Sequence, residues 1–413
     1  MKKINVLLGC ITLAATAKLA AQVTPDRIVL NVTANPATSL AVTWRTGNEV
    51  KEAVGEIVVA ADGPDLAKEL QQVKAVTTPF GGDSLHAAYH SVVFRGLQPK
   101  TKYMYRVGGS GQWSEWFQVQ TAGVVGDTVK LIYMGDAQNN IKSLWSRTIR
   151  QAFMQMPDAN LMIHAGDLVN RGQRDEEWGE FFYAGSFIHS VIPGMMVVGN
   201  HEHSRDSAGE FSLLTPHWQA QFTLPENGAP GVEETCYFTD IQGVRFIALN
   251  SQAINLTKAG ADRQYYWLDS LLSHNPNKWT CISFHHPVFS AKASRDNETL
   301  RKRFKPLFDK HRVDLILQGH DHAYARGIQP VEGLVKDTTS GTMYVISVSG
   351  PKMYELNKEP WMKRTAMNTQ LFQLVRIAGD TLLFETYTTT GKLFDAFKLV
   401  KQKGKLNKCI EMK

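Results

Sequence analysis

The chain has 413 residues, room for two or three domains at roughly 150 residues each and too many for a small module stapled by disulfides. Hydrophobic residues at 43%, charged residues at 20% and aromatics at 10% match soluble globular chains, which excludes a disordered or collagen-like polymer and a polytopic membrane protein. The formal charge of +6 falls to +3 once Lys2, Lys3 and Lys18 are assigned to a removable leader, too little to draw the chain to nucleic acid or an anionic membrane.

Residues 1–21 read as a secretory leader. Basic Lys2 and Lys3 precede an apolar run from Ile4 to Ala17, and small residues close it at Ala20-Ala21. The run is well short of the ~20 residues that span a bilayer, so export to the periplasm or medium is expected, with no membrane span. Leu7-Leu8-Gly9-Cys10 offers a lipoprotein processing site as the alternative, although the apolar stretch continues past it. Beyond the leader only Cys236, Cys281 and Cys409 remain, an odd count without metal-ligand spacing, so no disulfide framework is expected.

Residues 22–122 show short alternating runs between turn residues: Ile28 to Val32, Leu40 to Trp44, Gly55 to Val59, His90 to Phe94, Tyr103 to Val107 and Trp116 to Val119. Such spacing predicts a two-sheet antiparallel sandwich. The segment Leu97 to Val107 resembles the corner and penultimate strand of a fibronectin type III domain, which implies that Tyr103 bonds back across the corner. Trp44, Trp113 and Trp116 admit a sugar-stacking reading, but packing is the preferred one.

From 123 to 405 apolar runs alternate with amphipathic stretches such as Ile141 to Met156 and Asp262 to Leu272, the pattern of an α/β domain; residues 406–413 read as a basic, solvated tail. Five of the apolar runs lead into polar residues that can bind metal. They lead to Gly135-Asp136, Gly166-Asp167, Gly199-Asn200-His201, His285-His286 and Gly319-His320-Asp321-His322. Ligands gather at the carboxyl ends of strands in such folds, and a preceding glycine lets the chain turn sharply there. One such motif is weak; five form a constellation. Carboxylate, amide and imidazole donors without thiolate suit zinc, manganese or iron. Six donors exceed a tetrahedral zinc and fit two divalent or trivalent cations about 3.5–4 Å apart.

The ordered series, with Leu168-Val169-Asn170 after Asp167 and Tyr324 closing the last motif, resembles the calcineurin-like metallophosphoesterases and, with the front sandwich, the two-domain purple acid phosphatases. The resemblance implies a four-layer α-β-β-α sandwich. It implies Asp136 and His322 on the first metal, Asp167 as the bridge, Asn200, His285 and His320 on the second metal, and His201 as catalytic acid or phosphate donor. Hydrolysis would use a metal-bound hydroxide for in-line attack. Two positions depart from the family. Asn170 stands where the purple enzymes carry a tyrosinate ligand, so their colour is not expected. Gln138 stands where the wider superfamily has a metal-binding His, and it either coordinates or holds a water. His203, His286 and Arg326 flank ligand motifs and can either face substrate or support the ligands. The segment from Tyr354 to Asn368 either rims the cleft or packs on the front domain.

The leading expectation is an exported dimetal phosphatase acting on small phosphate monoesters. A phosphodiesterase or nucleotide hydrolase on the same site is the runner-up. A surface binding protein with a structural metal site is the non-enzyme alternative, and nucleic acid is not expected as a partner because no basic strip with interleaved aromatics is present.

Overall fold

The computed structural model describes residues 23–66, 70–82, 85–109, 111–329 and 339–412. The leader at 1–21 lies outside the described residues. Among them, no helix is long and apolar enough to cross a membrane.

The front domain is the expected sandwich. One sheet contains Asp26–Asn31, Ser39–Gly47, Leu85–Arg95 and Val76–Gly82; the other contains Gln71–Lys74, Val54–Val59, Lys102–Gly109, Gln112–Trp113 and Phe117–Gln120. Inward residues of both sheets, among them Val42, Trp44, Ile57, Phe94, Tyr105 and Val107, form one core. Trp44 is fully buried, as the packing reading requires, while Trp113 and Trp116 clasp the Arg106 guanidinium at 4.2 and 4.7 Å. The Gln98 N–H donates to the Tyr103 hydroxyl at 2.9 Å, closing the corner.

The two domains share a sheet. Asn31 pairs in parallel with Gly194, so the front strands extend an eleven-stranded sheet that runs through Gly194–Met196, Leu161–His164, Val129–Met134 and the C-terminal hairpins. Arg27 fastens the same junction, donating twice to the Asp175 carboxylate at 2.7 Å and also to Gln221 and Tyr89. The C-terminal segment is largely exposed, as expected of a solvated tail, but it is ordered: Lys408–Glu411 pairs with Leu393–Val400 as the last strand of this sheet, and Glu411 meets the buried guanidinium of Arg326.

A second, seven-stranded sheet holds Tyr237–Ile241, Val244–Ala248, Trp279–Ser283, Leu315–Gln318, Thr342–Ile346, Tyr324–Gln329 and Arg364–Ala366. Side chains alternate across a strand, and here the alternation is read out by two cores. Phe246, Ala248, Leu315 and Leu317 face the first sheet, whereas Ile247, Leu249 and Ile316 face the helix Lys258–Ser273 and its neighbours. Helices Ser146–Gln155 and Asp175–His189 cover the outer face of the first sheet, with Ile149, Trp178 and Phe181 buried. The result is four layers, helix, sheet, sheet and helix.

Candidate metal centre

The three strands Val129–Met134, Leu161–His164 and Gly194–Met196 run parallel, so Asp136, Asp167 and Asn200 leave the first sheet at one end. Trp279–Ser283 and Leu315–Gln318 are parallel in the second sheet and deliver His285, His320 and His322 to the same end. The loops pass so close that glycine is required. A Cβ on Gly199 would lie 2.2 Å from Asp167 Oδ1, and one on Gly319 would lie 2.3 Å from Asp136 Oδ1. The sharp turns fall elsewhere than expected. Of the four glycines only Gly166 has positive φ, and Asp167, His320 and His322 themselves occupy the left-handed region, a conformation that costs a non-glycine residue energy and is typical of functional sites.

Two donor sets result, Asp167 with His285 and His320, and Asp136 with Asp167 and His322; within each set the ligand atoms lie within 4.8 Å of one another. Asp167 belongs to both. His285 Nδ1 meets the Ala165 carbonyl at 2.9 Å and His322 Nδ1 meets the Lys352 carbonyl at 2.9 Å. Carbonyls only accept, so each ring carries a proton on Nδ1 and turns Nε2 inward, the nitrogen a metal ligand would offer. Those Nε2 atoms lie 3.2 Å from Asp167 Oδ2 and Asp136 Oδ2. Asn200 Oδ1 lies 3.2 Å from His285 Nε2. Asp136 Oδ2 is buried without a hydrogen-bond partner, an orphaned acceptor that a cation would satisfy.

The electrostatics point the same way. Burial, offset in part by His285 and reinforced by Asp167, pushes the Asp136 carboxyl up to about 7. Burial also opposes ionisation of Asp167, but the charges of His285 and His201 outweigh it and hold that carboxyl well below its ordinary range. For His285, burial favours the neutral ring, yet Asp167 and Asp136 prevail and raise it to about 9. Burial, with His286, lowers His320, and burial, with Lys352, brings His322 down to about 3. His285 and Asp136 thus hold protons beside Asp167 where a cation's charge would take their place, and once those protons leave, the buried oxygen and imidazole donors fit two cations sharing Asp167.

Around this centre the remaining residues separate. His201 Nδ1 donates to the Asn170 carbonyl at 2.6 Å and its Nε2 lies 3.9 Å from Asp167 Oδ2, between the donor cluster and a cavity of about 390 Å³ lined by Asn170, His203, Arg205 and Phe211 among others. His203 lines that cavity with its Nδ1 bonded to the Gly199 carbonyl. His286 is tied to Ser251 Oγ at 2.9 Å, its ring 4.3 Å from that of His320. Gln138 is buried and donates through Nε2 to Asp167 Oδ2 at 2.6 Å, while its Oε1 accepts from Lys352 Nζ at 3.0 Å. An ammonium only donates, so the amide oxygen faces Lys352 and the NH2 faces the carboxylate. Arg326 does not face substrate: it is 1% exposed, and Asp395 and Glu411 take its guanidinium in bidentate pairs. The segment after Tyr354 packs on the second sheet, with Trp361 against Phe289 and Arg364–Ala366 paired to Tyr324–Gln329; Tyr354 itself stands over His322, ring centroids 4.5 Å apart.

Two residues without an assigned role in the sequence belong to the site. Glu202, fully buried, accepts the N–H groups of Asp167, Leu168 and Gly199 at 3.0, 2.8 and 2.7 Å and so clamps two ligand loops. Burial and the Asp167 charge push its carboxyl up to about 8, against the pull of the amides. Lys352 is the second.

Residues 25–121 match the purple acid phosphatase N-terminal domain, and residues 121–324 match the calcineurin-like phosphoesterases. The chain belongs to this phosphoesterase family, in its purple acid phosphatase form. Purple acid phosphatase 23 of Arabidopsis thaliana is 24% identical over 357 residues, covering 73% of this chain and 74% of its own. Probable inactive purple acid phosphatase 24 of the same plant is 23% identical over 419 residues, with 87% and 66% covered. The structure of a purple acid phosphatase from yellow lupin seeds superposes with a TM-score of 0.75 at 20% identity, over 91% of this chain and 74% of that one, which speaks for the fold. The family is one of metal-dependent phosphoric ester hydrolases.

Proposed function

We propose that this phosphoesterase is an exported, dinuclear-metal phosphatase that hydrolyses small phosphate monoesters. The observation that carries the reading is the pair of donor sets meeting at Asp167, each with an imidazole Nε2 turned toward a buried carboxylate. Asp136, Asp167 and His322 would hold one cation, and Asp167, Asn200, His285 and His320 the other. Such a pair supplies Lewis acidity toward a phosphoryl oxygen and brings the pKa of a water down to ~7.

The protein's own groups do the rest. Neutral Asn200, and the histidines as they would be when bound to the cations, keep the negative charge facing a phosphate dianion to two carboxylates. Glu202 fixes the Asp167 and Gly199 loops through their amides. His201, with Nδ1–H given to the Asn170 carbonyl, has Nε2 free for the leaving oxygen. As imidazolium it passes the Nε2 proton to the departing alkoxide and returns to the tautomer that Asn170 stabilises. Export rests on the leader composition at 1–21.

Metal analysis of the purified protein and of Asp167→Ala, paired with matched monoester and diester assays, tests the reading. About two metals per chain in the wild type, with loss of both metal and hydrolysis in the variant, is the expected result. An unchanged rate in the variant, or a strong preference for the diester, overturns it.

A further inference from the structure

The strand Thr342–Ile346 lies parallel to Leu315–Gln318 and ends at the same edge as the ligand-bearing strands. Its exit leads through Ser349 and Gly350, whose N–H groups reach the Asp136 carbonyl, to Lys352. This residue is tied to the centre twice. Its carbonyl fixes the His322 tautomer, and its ammonium lies 3.0 Å from Gln138 Oε1, on the amide whose nitrogen is 2.6 Å from Asp167 Oδ2.

No carboxylate pairs with that ammonium among the described residues. Its one hydrogen-bond acceptor there is Gln138, so two of its three N–H donors remain to be satisfied. Its surroundings are otherwise cationic and aromatic. Tyr354 collects Lys352 at 5.7 Å, Lys292 at 4.1 Å and Arg295 at 5.3 Å, and only Arg295 has a carboxylate of its own, Asp321. A half-buried, unpaired ammonium beside a centre built for two cations is repelled by them unless an anion comes between.

We propose that Lys352 is a phosphate-binding residue of this centre, held by Gln138 so that its ammonium engages a non-bridging phosphoryl oxygen and favours dianionic monoesters over monoanionic diesters. The proposal deepens the phosphatase reading and rests on it for the identity of the anion. Gln138 is then the positioning residue: its NH2 faces Asp167 and its oxygen directs the ammonium. A lysine is suited to this as a compact point charge. A diester has one fewer negative charge to offer that ammonium, so the discrimination lies in the oxygen that a second ester arm would cap.

The test compares the metal-loaded wild type with Lys352→Met and Lys352→Arg. Inorganic phosphate affinity is measured by calorimetry, metal content by elemental analysis, and kcat/KM on p-nitrophenyl phosphate and on its methyl diester. Losing a charge-assisted hydrogen bond predicts phosphate binding weakened roughly 10- to 100-fold in Lys352→Met at unaltered metal content. Both hydrolysis rates fall, the monoester's by about tenfold more, and Lys352→Arg recovers most of the loss. Phosphate affinity within twofold of wild type in the folded Met variant, or an unchanged monoester-to-diester ratio, overturns the proposal. So does loss of metal from that variant with full phosphate affinity restored by excess metal. If the wild type cleaves neither ester, the phosphatase reading fails, while the phosphate titration still decides the role of Lys352.

Discussion

Glu202→Ala removes an acceptor from three backbone N–H groups at once. The carboxylate is fully buried, Oε2 serves Gly199 at 2.7 Å and Asp167 at 3.0 Å, and Oε1 serves Leu168 at 2.8 Å. A buried donor left without a partner costs about 1–3 kcal/mol. The truncated side chain leaves space for water to reach some of the amides, so the lower end applies and the three together cost about 3 kcal/mol. Glu202→Gln keeps one carbonyl oxygen but sets an NH2 against a remaining N–H, and about half that loss is expected. The variants are compared by urea unfolding followed by tryptophan fluorescence, with and without metal. Because the same amides position Asp167, the Ala variant should also bind metal more weakly than wild type. A midpoint that corresponds to less than about 0.5 kcal/mol of change, with wild-type metal affinity, would show that the clamp contributes nothing and refute the reasoning.

Asp175→Ala strips Arg27 of its carboxylate while Tyr89 and Gln221 remain; with the Arg27 side chain 5% exposed, a loss of about 3 kcal/mol is expected on denaturant unfolding. Burial brings His189 down to about 3, so its contribution to stability is complete above the unfolded value near 6.5 and is lost as pH falls toward 3. At pH 5 that amounts to about 2 kcal/mol, and His189→Phe should flatten the fall in unfolding midpoint between pH 7 and pH 5. With Asn170 in place of tyrosinate, protein reconstituted with iron should show no purple charge-transfer band in its visible spectrum.

The donor cluster was legible because each candidate ligand comes shortly after an apolar strand, and five short motifs survive as strings. Glu202 stands inside one of those strings, yet its role depends on amides from two loops meeting around it, which no linear pattern encodes. Lys352 lies thirty residues past His322, and its signal was the apolar run Met343–Ile346 followed by small residues, a sixth strand ending at the same edge. Arg326 shows the opposite failure. It is four residues from His322 in sequence, but the intervening strand carries it along the sheet to Asp395. The edge strand Val76–Gly82 escaped the alternation rule because Thr77, Thr78 and Pro79 need no buried face there; Pro79 is tolerated where one side of the strand has no neighbour.

The parallel pairing of Asn31 with Gly194 gives the front unit a structural duty. Strand Gly194–Met196 leads straight to Asn200 and His201, and the N-terminal strand shields its backbone on the side away from Leu161–His164. Excising residues 23–122 would bare that flank and offer it to any chain seeking a pairing partner. The phosphoesterase half expressed by itself is thereby disposed to self-associate, and the prosthesis it lacks is the one that braces the strand leading to Asn200 and His201.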